Sequence, residues 1–149
     1  MVKQEGRFQI GIGAIIENTK SEKILLLHRS HNMEFSSNKW DDVGGRMKQY
    51  ENPEKTLQRE VNEETGIINF EIVKPIDVSH YFRGERKAEN EMIVINYWCR
   101  TSESEVFLSE EHDEFRWVCP TEALELTEDP QIKRVINRFI QEKSLSLKK

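Results

Sequence analysis

Residues 44–67 read GGRMKQYENPEKTLQREVNEETGI and contain the clearest helix boundaries in the chain. Asn52 suits the N-cap position, because its side-chain oxygen can accept a free backbone N–H of the first helical turn. Pro53 suits the first helical position, where no N–H is needed, and Gly66 suits the left-handed position just beyond the end. The sequence therefore predicts a helix over residues 53–64.

This helix carries three glutamates on one side, Glu60, Glu63 and Glu64. At about 100° per residue, Glu63 and Glu64 lie about 60° and 40° to either side of Glu60, so the carboxylates share an arc of about 100°. Carboxylates at this spacing repel one another, and a hard cation such as Mg²⁺, which takes oxygen ligands, would turn the repulsion into coordination. The alternative is a solvated helix face with Lys55 and Arg59 as partial counterions.

The spacing of fixed residues continues on both sides of these glutamates. From Gly45 the sequence fits G-x5-E-x7-R-E-U-x-E-E-x-G-U, where U is aliphatic, at every fixed position, namely Gly45, Glu51, Arg59, Glu60, Val61, Glu63, Glu64, Gly66 and Ile67. With this pattern the chain resembles the Nudix hydrolase family in its MutT-like form. The resemblance implies Mg²⁺- or Mn²⁺-dependent hydrolysis of a nucleoside diphosphate linked to another moiety.

The resemblance also implies roles for individual residues of this segment. It implies that Arg59 pairs with Glu51 and fixes the loop before the helix. It adds the backbone carbonyl of a glycine to the ligands, so the implied metal set is Gly45, Glu60, Glu63 and Glu64. Glycine suits this place because a side chain would keep the backbone away from a metal ion or phosphate.

Hydrolysis of an anionic P–O–P link also needs a group that removes a proton from water. Glu63 is one candidate. Relatives often supply another carboxylate from the loop before the final Trp-containing strand, which is residues 108–118 here. The resemblance therefore favours Glu111 as the base, followed by Glu110 and Glu114. An ordinary solvated acid is the alternative for Glu111.

Candidate substrate-binding residues lie in or beside the flanking loops. Arg29 leaves the end of a predicted strand, in a region that helps to frame the substrate in Nudix proteins; a surface ion pair is the alternative. Phe35 and Phe82 could stack on a nucleobase through an aromatic face. For Trp40, packing in the core is the favoured interpretation.

The rest of the chain predicts an α/β fold, because apolar strand patterns alternate with two well-separated helices. Strands are predicted at residues 8–16, 24–27, 68–73, 76–82, 92–99 and 115–118, with the first two as a hairpin and a break at Pro75. A last helix from Pro130 carries an apolar stripe that predicts packing. We expect a Nudix-type α/β/α sandwich with a central mixed β-sheet, as a single domain at 1–143 followed by a frayed tail at 144–149.

Composition limits the possible partners. A net charge of −5 argues against binding to long nucleic acid, but not against a nucleotide-type substrate beside a bound metal. No apolar run is long enough for a membrane span, and the N-terminus lacks the apolar centre of a signal peptide. Cys99 and Cys119 form neither a disulfide framework nor a metal motif. We expect a cytoplasmic protein, and keep a homodimer as an open alternative.

Three functions remain in order of preference. The first is a nucleoside triphosphate pyrophosphohydrolase, suggested by the small size and the lack of an added domain. The second is a dinucleoside polyphosphate or nucleotide-sugar hydrolase, because residues 111–117 (EHDEFRW) resemble a segment of dinucleoside tetraphosphate hydrolases. The third is a non-catalytic nucleotide-sensing module, against which the intact carboxylate set argues.

Overall fold

The computed structural model describes residues 4–148. Its elements, in chain order, are β1 (Gln9–Asn18), β2 (Ile24–Arg29), β3 (Trp40–Asp41), β4 (Val43–Arg46), α1 (Pro53–Thr65), β5 (Glu71–Phe82), β6 (Glu91–Thr101), β7 (His112–Val118), α2 (Pro120–Leu126) and α3 (Pro130–Leu147), with a 3₁₀ turn at Ala88–Asn90.

The seven strands form one mixed sheet in the order β3-β2-β1-β6-β5, with β4 paired to β1 and β7 paired to β2. Strand β1 is the centre of this sheet. It pairs in parallel with β6 over its whole length, from Gln9 opposite Met92 to Asn18 opposite Thr101. Its other edge is shared by the antiparallel strands β4 and β2. The sheet is therefore mixed, as predicted.

The predicted β1–β2 hairpin is present only at its tip, where Glu17 lies opposite Ile24. The remainder of that edge of β1 is taken by β4, so β2 separates from β1 and pairs with β3 and β7 instead. The apolar character of both strands is evident from the sequence, but the strand with which each one pairs is not.

The predicted break at Pro75 is wrong, because Pro75 lies inside the continuous strand β5. Strand β5 is at the edge of the sheet, with β6 as its neighbour, and its register shifts on both sides of Pro75. A proline is tolerated in an edge strand beside a register shift, because no neighbouring strand requires a backbone N–H from that residue. Residues 68–70, which were included in the predicted strand, precede it as irregular structure.

Two hydrophobic cores lie on opposite faces of the sheet. On one face, Leu57 and Val61 of α1 pack against Ile12, Ala14 and other residues of β1, β2 and β6. On the other, α2 and α3 pack against Ile15, Leu26 and Trp98, and four members of the predicted apolar stripe, Ile132, Val135, Ile136 and Phe139, are buried. The fold is thus the expected α/β/α sandwich.

Both ends of α1 follow the sequence prediction, with one extra residue at the C-terminus. The Asn52 side chain accepts a hydrogen bond from the Lys55 N–H (2.9 Å), and Gly66 adopts a left-handed φ of 73°.

Helix α3 continues to Leu147, so the predicted domain end at residue 143 falls inside it. Residues 144–148 are exposed, and their fraying stays a prediction; residue 149 lies outside the described part.

Two further properties concern the protein's surroundings. Both cysteines are free thiols, with Cys99 buried in the sheet and Cys119 exposed. Within residues 4–148, the helices are too short or too polar to cross a membrane.

Candidate active site

A cleft of about 1250 Å³ opens beside the glycines of β4 and the N-terminal part of β1. Ten of the residues that the sequence nominates line it, namely Arg29, Phe35, Gly45, Glu51, Arg59, Glu60, Glu63, Glu64, Phe82 and Glu111, whereas the lower-ranked base candidates Glu110 and Glu114 do not. These residues come from four separate parts of the chain. The fold therefore brings the predicted metal, base and substrate residues to one place.

The carboxylates of Glu60 and Glu64 face the two glycines of β4. Glu64 is 4% exposed, and its Oε1 accepts a hydrogen bond from the Gly44 N–H (2.7 Å). A Cβ at Gly45 would overlap the Glu60 carboxyl group. Glycine at this position therefore lets the backbone of β4 lie directly against Glu60.

We predict that Gly45→Ala displaces the Glu60 carboxylate. The φ of Gly45 is not positive, so the alanine's effect arises from the overlap, which typically costs about 1–3 kcal/mol in a packed site. Thermal unfolding should show a lower Tm for Gly45→Ala, and Glu60→Ala in the same chain should recover part of that loss without restoring activity. An unchanged Tm and full activity in the single variant would contradict this packing.

Arg59 connects the loop at residues 46–51 to the carboxylates. Its Nε and Nη2 donate to the two Glu51 oxygens at 2.8 and 2.9 Å, and its Nη2 also donates to the Arg46 carbonyl at 3.1 Å. Its Nη1 lies 2.7 Å from Glu60 Oε1 and 3.4 Å from Glu63 Oε2. Hydrogen bonds from Arg59 hold the pKa of Glu51 at about 2, below its ordinary 4.5. The guanidinium thus anchors the loop and orients Glu60.

We predict that Arg59→Ala loosens this loop. The pair is bidentate and charged, so amide hydrogen exchange of residues 46–51 should accelerate about tenfold or more. Because the folded pKa of Glu51 is lowered, the pair stabilises the protein above about pH 4.5, and that contribution is lost as the pH falls toward about 2. Lys55→Ala, at an exposed position of the same helix, is the control; equal exchange in both variants would disprove the anchor.

The two candidate bases differ in their surroundings. The Glu63 side chain is 54% exposed and contacts Arg59 at the rim of the cleft. Glu111 is exposed at the start of β7, and its carbonyl accepts a hydrogen bond from the Ser30 N–H (2.9 Å). One carboxylate oxygen of Glu111 lies within 4.8 Å of ligand atoms of both Glu64 and His112. Glu111 therefore approaches the buried carboxylates from a different element than α1.

His112 is a member of the site to which the sequence analysis gave no role. It is 4% exposed, its Nδ1 lies 3.4 Å from Glu64 Oε2, and neither ring nitrogen has a hydrogen bond of good geometry. Burial lowers the pKa of His112 to about 4. The imidazole is therefore neutral near pH 7, beside a carboxylate. Sequence alone gives no indication of this burial, because the Glu111-His112 pair occurs in a polar stretch.

The donor set fits a hard divalent cation. Burial raises the pKa of Glu60, with the charges of Glu63 and Glu111 adding to the shift. Burial raises the pKa of Glu64 further, and the charges of Glu60 and Glu111 add to that shift. Buried carboxylates of this kind need a positive partner. Of the three clustered glutamates of α1, Arg59 pairs with Glu60 and Glu63, and within residues 4–148 it makes no ion pair with Glu64. Carboxylate and carbonyl oxygens are the ligands that Mg²⁺ and Mn²⁺ take. A cation would lower both pKa values and complete this group.

The profile of the NUDIX domain matches residues 7–139 of the sequence. The chain belongs to the Nudix family. Among curated protein sequences, none matches it.

Solved structures of the same fold support this assignment. The MutT protein from Methanosarcina mazei Go1 is 29% identical, with a TM-score of 0.77, and the match covers 95% of this chain and 99% of that one. The Escherichia coli dihydroneopterin triphosphate pyrophosphohydrolase is 17% identical (TM-score 0.74, 91% and 98% covered). A Caenorhabditis elegans Ap4A hydrolase is 20% identical (TM-score 0.76, 91% and 98% covered).

This Nudix cleft is also lined by the predicted arginine and both predicted phenylalanines. Arg29 donates from Nε to the Phe35 carbonyl (3.0 Å), and the Arg83 guanidinium lies over the Phe35 ring, 4.7 Å from its centroid. Phe82 lines the cleft, with Arg86 5.6 Å from its ring centroid. Trp40 packs against the α3-side core, which agrees with the favoured interpretation.

Asp41, Asp42 and Asn96 are among the polar residues of the cleft that sequence reasoning missed. The two aspartates are separated from the box glycines only by Val43, so their position in the chain was a usable indication. No sequence pattern indicated that Asn96 belongs to the cleft, because it lies inside a strongly apolar strand. Only the pairing of β6 with β1 brings it beside the box.

Proposed function

We propose that this Nudix enzyme, which acts on phosphoanhydride bonds, is a divalent-metal-dependent nucleoside triphosphate pyrophosphohydrolase. The observation that carries the proposal is the meeting of the Glu60 and Glu64 carboxylates with the Gly44–Gly45 backbone in one cleft. Buried carboxylates beside backbone without side chains form a site for a cation and an anionic substrate, rather than a solvated helix face.

Gly45, Glu60, Glu63 and Glu64 would hold the Mg²⁺ or Mn²⁺. When bound, such an ion neutralises phosphate charge and makes a coordinated water more acidic. Arg59 keeps Glu60 in place and holds the loop at residues 46–51 through Glu51. The same guanidinium group therefore holds both the loop and the proposed metal ligand Glu60.

Glu111 would remove the proton of the attacking water. It lies in the turn immediately before β7 rather than on α1, so its lone pairs would not be occupied by the metal that Glu63 would help to hold. Its oxygen is also near the buried carboxylate of Glu64, where the water would be held. Glu63 would then serve mainly as a ligand at the exposed side.

The substrate would be held by charge and stacking on the opposite wall. Arg29 and Arg83 provide positive charge in the cleft, and the rings of Phe35 and Phe82 border the same space. Phosphate oxygens would pair with the guanidinium groups, and an aromatic face would cover the base.

Two alternatives remain open, and neither changes the metal site. The Ap4A hydrolase fold match and the EHDEFRW segment favour a dinucleoside polyphosphate or nucleotide-sugar hydrolase as the second candidate. A nucleotide-sensing module without turnover is the third. The cytoplasmic location and a homodimer stay proposals from the sequence.

A screen with Mg²⁺ in which released nucleotides, phosphate and pyrophosphate are separated by ion-exchange chromatography decides among these functions. The panel would contain nucleoside triphosphates, nucleotide sugars and dinucleoside polyphosphates, each with and without EDTA. The proposal predicts pyrophosphate release from triphosphates that EDTA abolishes. Turnover of only the other two classes would favour the second function, and binding without turnover would favour the third.

A further inference from the structure

A second group of potential metal ligands lies beside the predicted metal set, where α1 approaches the turn before β7. Glu64, Glu111 and His112 each place one ligand atom within 4.8 Å of the others. Glu64 and His112 are buried, whereas Glu111 is exposed. Of the three, Glu64 belongs to the predicted metal set, so the turn adds a carboxylate and an imidazole to it. These three residues are called the His112 cluster below.

His112 is the unusual member of this cluster. It is 4% exposed, yet within residues 4–148 neither of its ring nitrogens has a hydrogen-bond partner of good geometry. Buried polar groups are nearly always paired, because an unpaired one costs about 1–3 kcal/mol. A neutral imidazole keeps a lone pair on one ring nitrogen and is the commonest metal ligand among side chains. The buried ring is therefore suited to bind a cation.

The separation of the two buried groups matches a tetrahedral ion. His112 Nδ1 lies 3.4 Å from Glu64 Oε2, which is longer than a well-formed hydrogen bond. Two ligands that each lie about 2.0–2.1 Å from a tetrahedral Zn²⁺ are about 3.4 Å apart. The same bond lengths in an octahedron, the geometry that Mg²⁺ requires, place neighbouring ligands about 2.9 Å apart. The pair therefore has the spacing of a zinc site.

The donor types and charges lead to the same ion. An imidazole nitrogen suits Zn²⁺, whereas Mg²⁺ takes oxygen ligands and keeps several of its waters. The carboxylates of Glu64 and Glu111 together carry two negative charges, which neutralise a dication beside an uncharged ring. Three protein ligands leave the fourth position of a tetrahedral Zn²⁺ to water. The cluster therefore supplies a complete set of zinc ligands.

Glu64 can serve both metal sites, because its two oxygens face different partners. Oε1 accepts a hydrogen bond from the Gly44 N–H, whereas Oε2 is the oxygen near His112. Glu111 approaches from a turn that is fixed to β2, since the Ser30 N–H donates to the Glu111 carbonyl (2.9 Å). A rotation of the exposed Glu111 side chain can therefore close the cluster around an ion while its backbone stays in place.

We propose that Glu64, Glu111 and His112 form a zinc site whose occupation inhibits the enzyme. A zinc ion held there occupies the lone pairs of Glu111, so this carboxylate can no longer take a proton from water. Mg²⁺ in the predicted metal set leaves Glu111 free. The inhibition rests on the proposed function, in which Glu111 is the base, whereas zinc binding itself does not depend on it.

Zinc binding is tested on metal-free protein to which Mg²⁺ has been added to saturation, so that the predicted metal set is filled first. Titration with Zn²⁺ would be followed by NMR of the histidine ring nitrogens, with the affinity taken from competition with a zinc-responsive dye. The ring resonances of His112 should shift, and those of the exposed His31 and His80 should stay in place. A saturable zinc affinity without a shift at His112 would overturn the proposal, as would the absence of zinc binding.

Two variants and one control locate the ion. His112→Gln removes the imidazole but keeps a polar side chain of similar length, and it should weaken zinc binding about tenfold or more. Glu111→Gln changes an exposed residue and should weaken zinc binding to a similar extent, so the test stands even if the first variant folds poorly. His31→Gln, at an exposed position outside the cleft, should bind zinc like the wild type. Equal zinc affinity in all four proteins would overturn the proposal.

Turnover tests the inhibition. In the Mg²⁺ assay, zinc should lower the kcat of the wild type and of His31→Gln, and a higher Mg²⁺ concentration should not restore it. His112→Gln should need about tenfold more zinc for the same inhibition. Relief by Mg²⁺ with equal sensitivity in His112→Gln would assign the inhibition to displacement of Mg²⁺ and overturn the proposal. Zinc bound at His112 with undiminished kcat would overturn the inhibitory role.

The outcomes separate this inference from the proposed function. A zinc-induced shift at His112 in a protein that hydrolyses none of the substrates would retain the zinc site and remove the pyrophosphohydrolase. Mg²⁺-dependent turnover, without any zinc-induced change at His112, would retain the enzyme and remove the zinc site.

Discussion

Glu60→Gln is expected to abolish most Mg²⁺-dependent turnover while the protein stays folded. The glutamine retains the size of the side chain and can still contact Arg59, but it loses the charge that a divalent cation needs. Groups that only support metal ligands are worth about 10- to 100-fold, so loss of a ligand should lower kcat/KM by about 10²-fold or more. The measurement is pyrophosphate release at saturating Mg²⁺.

A matched control lies on the same helix. Glu54 is an exposed glutamate in the first turn of α1, so Glu54→Gln removes one charge without touching the cleft. It should retain near-wild-type turnover, and both variants should unfold near the wild-type Tm. Near-wild-type rates in Glu60→Gln at saturating substrate would show that the metal assignment is wrong.

The second large effect is expected at the proposed base. Glu111→Gln should lower kcat by about 10²-fold or more, the low end for loss of a general base, with little change in metal affinity. Glu63→Gln should instead weaken metal binding, because its carboxylate is on α1 with the other ligands. The test is kcat at saturating metal, together with the metal concentration that gives half-maximal rate.

Nearby glutamates decide whether the effect belongs to Glu111. Glu105 is exposed in the preceding loop and does not line the cleft, so Glu105→Gln should be neutral. Glu110→Gln and Glu114→Gln test the two other candidates of this region. A Glu111→Gln enzyme with kcat within a few-fold of wild type would return the role of base to Glu63, Glu110 or Glu114.

Local sequence patterns predicted the ends of α1 and the buried face of α3, because these features depend on residues close together in the chain. The boundaries of α1 depend on Asn52, Pro53 and Gly66, each of which acts within one or two turns. The same holds for the apolar stripe of α3. The family pattern identified Gly45, Glu51, Arg59, Glu60, Glu63 and Glu64, and the wider resemblance added Glu111. Arg29 followed from its place at a strand end, and Phe35 and Phe82 from their aromatic rings in flanking loops. The structure shows all ten lining the same cleft.

Features that depend on strand pairing could not be predicted in the same way. Pro75 is tolerated because β5 lies at the edge of the sheet, and nothing in the neighbouring residues shows that. Asn96 faces the cleft because β6 pairs in parallel with β1, which lies 80 or so residues earlier in the chain. His112 is buried against Glu64 although its neighbours in sequence are charged. Each case requires the tertiary partner.

The central claim is that α1 and the Gly44–Gly45 segment of β4 hold a catalytic divalent cation. Titration with Mn²⁺, followed by the EPR signal of the free ion, measures this directly and without any substrate. The account predicts a saturable Mn²⁺ site in the wild type and in Glu54→Gln, with affinity weakened about tenfold or more in Glu60→Gln and Glu64→Gln. Equal Mn²⁺ affinity in all four proteins would contradict it.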